Sequence, residues 1–176
     1  MKNMKNNLWA INIFLPLYVI IMLTSFLQKS SSKVDIVPLM QYGMENEDIL
    51  ELYAEDINDV YTMTNSKRIR IWYYDCDLNQ DGYTDKFVIV SSTLHSGSAG
   101  DSIDAWLGDE NGDYQEVALG QHLPIIGIDD KPAYWQIFIL PSMSNGLCDI
   151  ECQSLYDDTH FLLRYNGERY EYIKLI

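Results

Sequence analysis

Beyond Arg68 the chain consists of short segments with the composition of β-strands, and this pattern restricts the fold more than any other feature of the sequence. The segments are rich in Val, Ile, Tyr and Phe, and turn-forming Gly, Asn, Asp and Pro lie between them. The predicted strands are residues 69–75, 86–92, 102–107, 114–119, 135–140, 148–156, 159–165 and 169–175. Because tight turns join antiparallel strands, the pattern predicts a mainly antiparallel β-sheet.

Two of these segments carry further information about the sheet. The segment 135–140 is apolar at successive positions, which predicts a central strand, and Pro141 is expected to end it. The dipeptide Asn166-Gly167 lies between two predicted strands. Since both residue types accept positive φ, it predicts a hairpin with a type I′ turn.

A single helix is predicted ahead of the strands. Asn46 is a suitable N-cap, and the acidic residues that follow it suit the positive end of the helix dipole. Apolar residues then recur at three- and four-residue spacing and form one stripe: Ile49, Leu52, Tyr53, Ile57, Val60 and Tyr61. The two patterns together predict an α+β fold in which one amphipathic helix packs on a mainly antiparallel sheet.

Between the first two predicted strands, oxygen-bearing side chains occupy alternating positions around a glycine. Counting from Asp77, the expected metal ligands are the side chains of Asp77, Asn79, Asp81 and Asp85 together with the carbonyl of Tyr83. Ca²⁺ binds six to eight oxygens at about 2.3–2.6 Å, and Gly82 permits the sharp turn that such a loop needs. The twelfth position is Val88, so the bidentate Glu of an EF-hand is missing.

A metal-free interpretation of the same loop is open at this point. Asp, Asn and Gly also dominate ordinary β-turns, because their side chains form local hydrogen bonds and tolerate positive φ. Three carboxylates this close would repel one another without a cation, which favours the metal. The stretch Asp109–Asp113 has a similar composition but a different spacing, and it predicts a hairpin turn.

The loop resembles those of FG-GAP and VCBS-type repeats, including the integrin α-subunit propellers, which carry Asp or Asn at these positions between two strands. The resemblance is limited mainly to residues 69–90 and implies a calcium loop. No second full copy of the motif occurs, which argues against a propeller of repeated blades. The order of elements also resembles small exported bacterial domains of unassigned activity. The matching pieces are residues 77–85, 96–100, 144–146 and 165–170.

The N-terminal region predicts export. Residues 8–27 are uncharged and mostly apolar, about the 20 residues that a helix needs to cross a bilayer, and Lys2 and Lys5 precede them. We expect residues 1–28 to be a signal anchor, with a cleaved signal peptide as the alternative. Residues 29–44 are then a linker and lead-in, and residues 45–176 a single α+β domain. The expected location is the cell membrane with an extracytoplasmic domain, or the exterior if the segment is cleaved.

The charge distribution bears on the partners. The chain has a formal net charge of −14, and all 26 acidic residues lie beyond Lys33. This balance disfavours nucleic acid and favours cations or basic partners, although simple solubility also explains it. The predicted partners are therefore the membrane, through residues 8–27, and a protein or peptide.

The three cysteines leave several alternatives open. Cys148 and Cys152 lie in one predicted strand about 13 Å apart, too far for a mutual disulfide. A bridge would therefore include Cys76. Free buried thiols are the simpler interpretation, and a zinc site is weakly supported because the short-spacing ligand pairs are missing.

Catalytic motifs are weak throughout the chain. Residues 95–101 combine a histidine, serines and a carboxylate, but without the glycine that a nucleophile elbow requires. The acidic pairs Asp129-Asp130 and Asp157-Asp158 are typical of turns. The sequence therefore favours a non-catalytic binding or interaction domain with a structural calcium loop. The alternative is a secreted hydrolase whose acidic residues converge in a pocket.

Overall fold

Two antiparallel β-sheets contain about half of the residues that the structure describes. The computed structural model describes residues 33–64, 68–94, 101–117, 135–156 and 158–175. The first sheet contains β1 (Gln41–Tyr42), β2 (Ile69–Cys76), β3 (Asp85–Ser92), β4 (Ser102–Gly108) and β5 (Tyr114–Val117) in that order. The second contains β6 (Trp135–Ser144), β7 (Leu147–Ser154), β8 (His160–Tyr165) and β9 (Tyr170–Lys174), also in sequence order. Each sheet is a meander.

The predicted α+β fold class is wrong. Strands exceed helices by a wide margin in the described residues, and they form two sheets instead of one. The expected single helix is two short ones, α1 (Glu47–Leu52) and α2 (Ala54–Met63), separated at Tyr53. The physical reason is burial: strands with one apolar face each are covered most completely by packing two sheets face to face.

The sheets pack through alternate residues of their strands. Trp72, Phe87 and Ile89 of the first sheet face Ile137, Ile150 and Phe161 of the second, and together they form one core cluster. The opposite face of the first sheet is apolar as well, and the helices cover it at β2 and β3. The molecule from Lys33 onward therefore has three layers, namely helices, first sheet and second sheet.

The helices lie on the first sheet through the apolar stripe seen in the sequence. Ile49, Tyr53 and Val60 are buried against β2 and β3, whereas Tyr61 is exposed. Asn46 caps α1 by accepting a hydrogen bond from the Ile49 amide at 3.0 Å. The break at Tyr53 has a polar anchor, because the Tyr53 hydroxyl donates to Asp104 at 2.8 Å on β4.

The lead-in segment, defined here as residues 33–44, crosses from one sheet to the other. Asp35 forms an isolated bridge with Phe138 of β6, and β1 then pairs with β2. Ile36, Val37 and Met40 are buried in the core between the sheets. The segment therefore closes one side of the sandwich.

Two details of the second sheet differ from expectation. β6 lies at the sheet edge instead of its centre and continues past Pro141, with a register shift between Ile139 and Met143. An edge strand tolerates proline because no neighbour needs its missing N–H.

Asn145-Gly146, with φ of 48° and 92°, has the positive φ values of a type I′ turn. The β8–β9 connection is a hairpin as predicted, but at Asn166-Gly167 only the glycine has positive φ.

None of the helices in the described part of the chain is long and apolar enough to span a membrane. The signal anchor or signal helix predicted for residues 8–27 lies outside the described residues.

Candidate metal site

The predicted calcium loop connects β2 to β3 at one end of the first sheet. Cys76 pairs with Asp85, so the eight residues between them project beyond the last strand pair. Gln80 and Gly82 have φ of 59° and 91°, and these two left-handed residues turn the backbone sharply. The two strands therefore hold both ends of the loop, as the sequence predicts.

Three of the predicted ligands lie together in this loop. Asp77 accepts hydrogen bonds from the amides of Asp81 at 3.1 Å and Gly82 at 3.0 Å. Asn79 also accepts from the Asp81 amide at 3.1 Å, and its side-chain amide donates to the Asp81 carboxylate at 2.7 Å. The Tyr83 amide donates to Asp81 at 2.8 Å. Side-chain oxygens thus gather on the inside of the turn.

Asp85 is placed differently from the other three. It begins β3, is 0% exposed, and directs its carboxylate into the protein. One oxygen accepts from the Leu78 amide at 2.6 Å and the other from the Gly108 amide at 2.9 Å, so Asp85 links the loop to the end of β4. Only glycine fits at position 108, because a Cβ there would lie 2.2 Å from the Thr84 carbonyl oxygen.

The electrostatics of Asp85 distinguish this loop from the neighbouring hairpin turn. Burial raises the pKa of Asp85, the Asp81 charge adds to the increase, and the hydrogen bonds from Gly108 and Leu78 offset it only in part. In the hairpin turn, the Asn111 and Asp113 amides donate to the exposed Asp109 carboxylate and lower its pKa. Asp109 is therefore stable as an anion without a cation, whereas ionised Asp85 is disfavoured by its surroundings.

The loop also contacts the second sheet. Leu78 is 0% exposed and belongs to the core between the sheets. Its carbonyl accepts a hydrogen bond from the Cys148 amide of β7 at 2.7 Å. The exposed Gln80 places its side-chain amide 3.6 Å from the Cys148 sulfur. The loop therefore contributes to the packing between the two sheets at this end.

The donor set suits a hard divalent cation. Each side-chain oxygen of Asp77, Asn79 and Asp81 keeps lone-pair capacity beyond the single hydrogen bond that it accepts. Asp77, Asn79 and Asp81 can supply side-chain oxygens from one side, and the loop's carbonyls can complete the shell. In the described ranges no group of three or more His, Cys, Asp or Glu side chains is arranged to hold a metal ion, so binding requires these carboxylates to move closer together.

A second acidic cluster, which was not predicted from the sequence, lies on the outer face of β7. Asp149 and Glu151 are 2% and 5% exposed, and they share this face because they are two positions apart on one strand. Asp149 accepts hydrogen bonds from Ser142 at 2.8 Å and Ser144 at 2.7 Å, across the irregular part of β6. Successive side chains of a strand point to opposite faces, so such a pair can be identified from the sequence once the strand and its inner face are known.

The contacts of Glu151 account for its burial. Lys33 of the lead-in segment donates to one carboxylate oxygen, and the His160 Nε2 lies 2.8 Å from the other. Burial raises the pKa of Glu151, but the hydrogen bonds from Lys33 and His160 outweigh this effect and leave the pKa below its ordinary value. A carboxyl that stays ionised is poorly suited to general acid catalysis. Glu151 therefore acts as a cross-link between three segments.

Lys86 is a buried cation on the helix-covered face of the first sheet. It forms ion pairs with Asp75 at 3.0 Å and with Asp48 of α1 at 3.3 Å. Its ammonium also lies 5.2 Å from the ring centre of Tyr73 and 5.1 Å from that of Tyr114. These contacts satisfy the charge and attach α1 to the sheet.

The weak catalytic candidates of the sequence are mostly beyond the described residues. Residues 95–100, Asp129-Asp130 and Asp157 are outside the described ranges, while Asp101 is buried at 2% exposure. Among the described residues, every buried side-chain nitrogen or oxygen has a hydrogen-bond partner.

Comparisons with known proteins assign no function, so the function is argued from the contacts described above. The FG-GAP and VCBS-type resemblance stays a prediction based on the spacing of the loop. No protein-family model matches the chain, and no curated protein or solved structure matches it significantly.

Proposed function

We propose that this chain is an exported, membrane-anchored binding or interaction domain whose Asp77–Asp85 loop holds a structural Ca²⁺ ion. The observation that carries the proposal is the gathering of the Asp77, Asn79 and Asp81 side-chain oxygens in one loop that also contacts the second sheet. Burial of Asp85, which raises its pKa, adds to the repulsion between the carboxylates. A divalent cation at the loop would offset the repulsion between its carboxylates and fix its conformation. The ion contributes stability and performs no chemistry.

The proposed location rests on the N-terminal sequence. The uncharged run of residues 8–27 follows two lysines, and the acidic residues all lie beyond Lys33. An acidic domain outside the cytoplasm encounters millimolar calcium, which is the range in which extracellular calcium modules bind. The partner in this proposal is a protein or peptide.

The test is thermal melting of the protein with excess calcium and with chelator. For a dissociation constant of about 10⁻⁴–10⁻³ M, one millimolar calcium stabilises the fold by about 0.4–1.4 kcal/mol. That corresponds to a rise of a few degrees, roughly 1–6 °C, in the melting midpoint. Asp81→Ala should abolish the calcium-dependent part of this shift while leaving the chain folded, because Asp81 is exposed.

Asp109→Ala is the matched control, since Asp109 is an exposed aspartate in the adjacent hairpin turn and accepts backbone amides in the same way. This variant should be less stable at all calcium concentrations but keep the full calcium-dependent shift. Calorimetry of the unaltered protein provides the second readout. An unchanged melting midpoint in chelator, with no calcium binding at millimolar concentration, would show that the loop is only a turn.

A further inference from the structure

Cys76 lies on the first sheet and Cys148 on the second, at the same end of the sandwich, and each side chain points towards the opposite sheet. Cys76 is the last residue of β2, and its side chain packs against the core cluster between the sheets. Cys148 is the second residue of β7 and is buried in that same cluster at 3% exposure. The two thiols therefore approach the core from opposite layers.

The backbone next to Cys76 places these residues close together. The Cys148 sulfur lies 4.0 Å from the carbonyl oxygen of Asp77, the residue that follows Cys76. The Cys148 amide donates to the carbonyl of Leu78, one residue further, at 2.7 Å. The Cys76 sulfur lies 3.9 Å from the Asp85 carbonyl at the other end of the loop. Both thiols thus lie beneath the two ends of one loop.

Cys152 is in a different place. It faces the same core from β7, but four residues along a strand separate it from Cys148 by about 13 Å. Its neighbours across the sheet are Ile137 of β6 and Phe161 of β8. A disulfide requires α-carbons within about 7 Å, which excludes the pair Cys148 and Cys152.

We propose that Cys76 and Cys148 form a disulfide under oxidising conditions, and that Cys152 remains a thiol. The structure has all three as free thiols. Oxidation by a disulfide reagent such as oxidised glutathione joins the two sulfurs, and the reagent takes up the two electrons and two protons as two molecules of its thiol form. The bridge ties β2 to β7 and encloses β3, β4, β5 and β6 in one covalent loop. It is independent of the proposed calcium ion.

The experiment is refolding of the full chain in a glutathione redox buffer, followed by alkylation under denaturing conditions and mass spectrometry without reduction. The expected product takes up one alkyl group, on Cys152, and yields a peptide that links Cys76 to Cys148. The reduced chain takes up an alkyl group at each of its three cysteines. The bridged form should melt on the order of 10 °C higher than the reduced form, because the closed loop is long.

Three serine variants make the pairing specific. Cys152→Ser should form the bridge and take up no alkyl group, whereas Cys76→Ser and Cys148→Ser should each form no bridge within the chain. A linked peptide containing Cys152, or alkylation of all three cysteines after refolding, would overturn the proposal. The calcium shift is to be measured on protein kept reduced, so that failure of either proposal leaves the other intact.

Discussion

At the scale of single residues, Glu151 connects parts of the chain that are far apart in sequence. Its carboxylate binds Lys33 at the start of the lead-in segment and His160 at the start of β8. Because these contacts lower its pKa in the folded protein, the folded state holds the anion more favourably than the unfolded chain does. The resulting stability is fully present above the unfolded pKa of about 4.3 and is lost as the pH falls through the lower folded value.

Glu151→Gln should therefore lower stability at pH 7 by about 1–3 kcal/mol and reduce the loss of stability on acidification. Glutamine keeps the volume of the side chain but removes the charge that Lys33 and His160 bind. The measurement is urea unfolding between pH 3 and pH 7. Glu116→Gln is the control, since Glu116 is exposed on β5. Equal pH dependence in both variants and the unaltered protein would contradict the assigned role.

The candidate site was only partly predictable at this scale. The spacing of Asp77, Asn79 and Asp81 identified residues that the structure brings together, because a turn is a local feature of sequence. The inward orientation of Asp85 depends on the amide of Gly108, which is 23 residues away. The burial of Glu151 similarly depends on Lys33, 118 residues away. Spacing alone carries no information on such distant partners.

At the scale of elements, the loop between β2 and β3 functions as a contact between layers. It inserts the fully buried Leu78 into the core and exposes Tyr83 at 42%. The Leu78 backbone bonds both to Asp85 and to Cys148 of β7. The loop is therefore part of the packing between the sheets.

Leu78→Ala should destabilise the protein by about 2–5 kcal/mol, because it leaves a cavity between the sheets. Tyr83→Ala, in the same loop but with an exposed side chain, should cost less than about 1 kcal/mol. Urea unfolding of both variants at neutral pH measures the difference. A Leu78→Ala cost as small as that of Tyr83→Ala would show that the loop does not contribute to the inter-sheet core.

Element positions were easier to predict than element partners. Alternation and turn residues located β2, β3 and β4 within a few residues. The apolar run 135–140 predicted a central strand, but one face of edge strand β6 contacts the core and its free edge meets Asp35. Apolar residues report burial, whereas the order of strands depends on pairing across the sheet.

At the scale of the whole molecule, the error in fold class has the same origin. One helix ahead of many strands is compatible with a single covered sheet and with a sandwich, and only the inward residues of β7 and β8 distinguish them. Those residues, including Ile150 and Phe161, bury against the first sheet instead of extending it. The helical stripe gave no indication of this second layer.

The N-terminal segment gives a prediction for the molecule as a whole. If residues 8–27 are retained, the native protein should sediment with membranes and resist carbonate extraction, because an apolar run of about 20 residues can span the bilayer. Intact-mass measurement of the native protein is the direct check. A mass equal to that of a chain starting after Ser32 would show that the segment is a cleaved signal peptide and not an anchor. The prediction of export would be unchanged.

The lead-in segment has a mechanical consequence. Tension transmitted along the chain towards Lys33 would act first on its bond to Glu151. It would act next on the two hydrogen bonds at Ile137, whose amide donates to the Asp35 carboxylate and whose carbonyl accepts from the Ile36 amide. Because successive residues of the lead-in segment make these contacts along one edge, the contacts would break one after another. Peeling would uncover the core through Ile36, Val37 and Met40 before either sheet lost a strand pair other than that of β1. The sandwich therefore opens from the side to which any pulling anchor is attached.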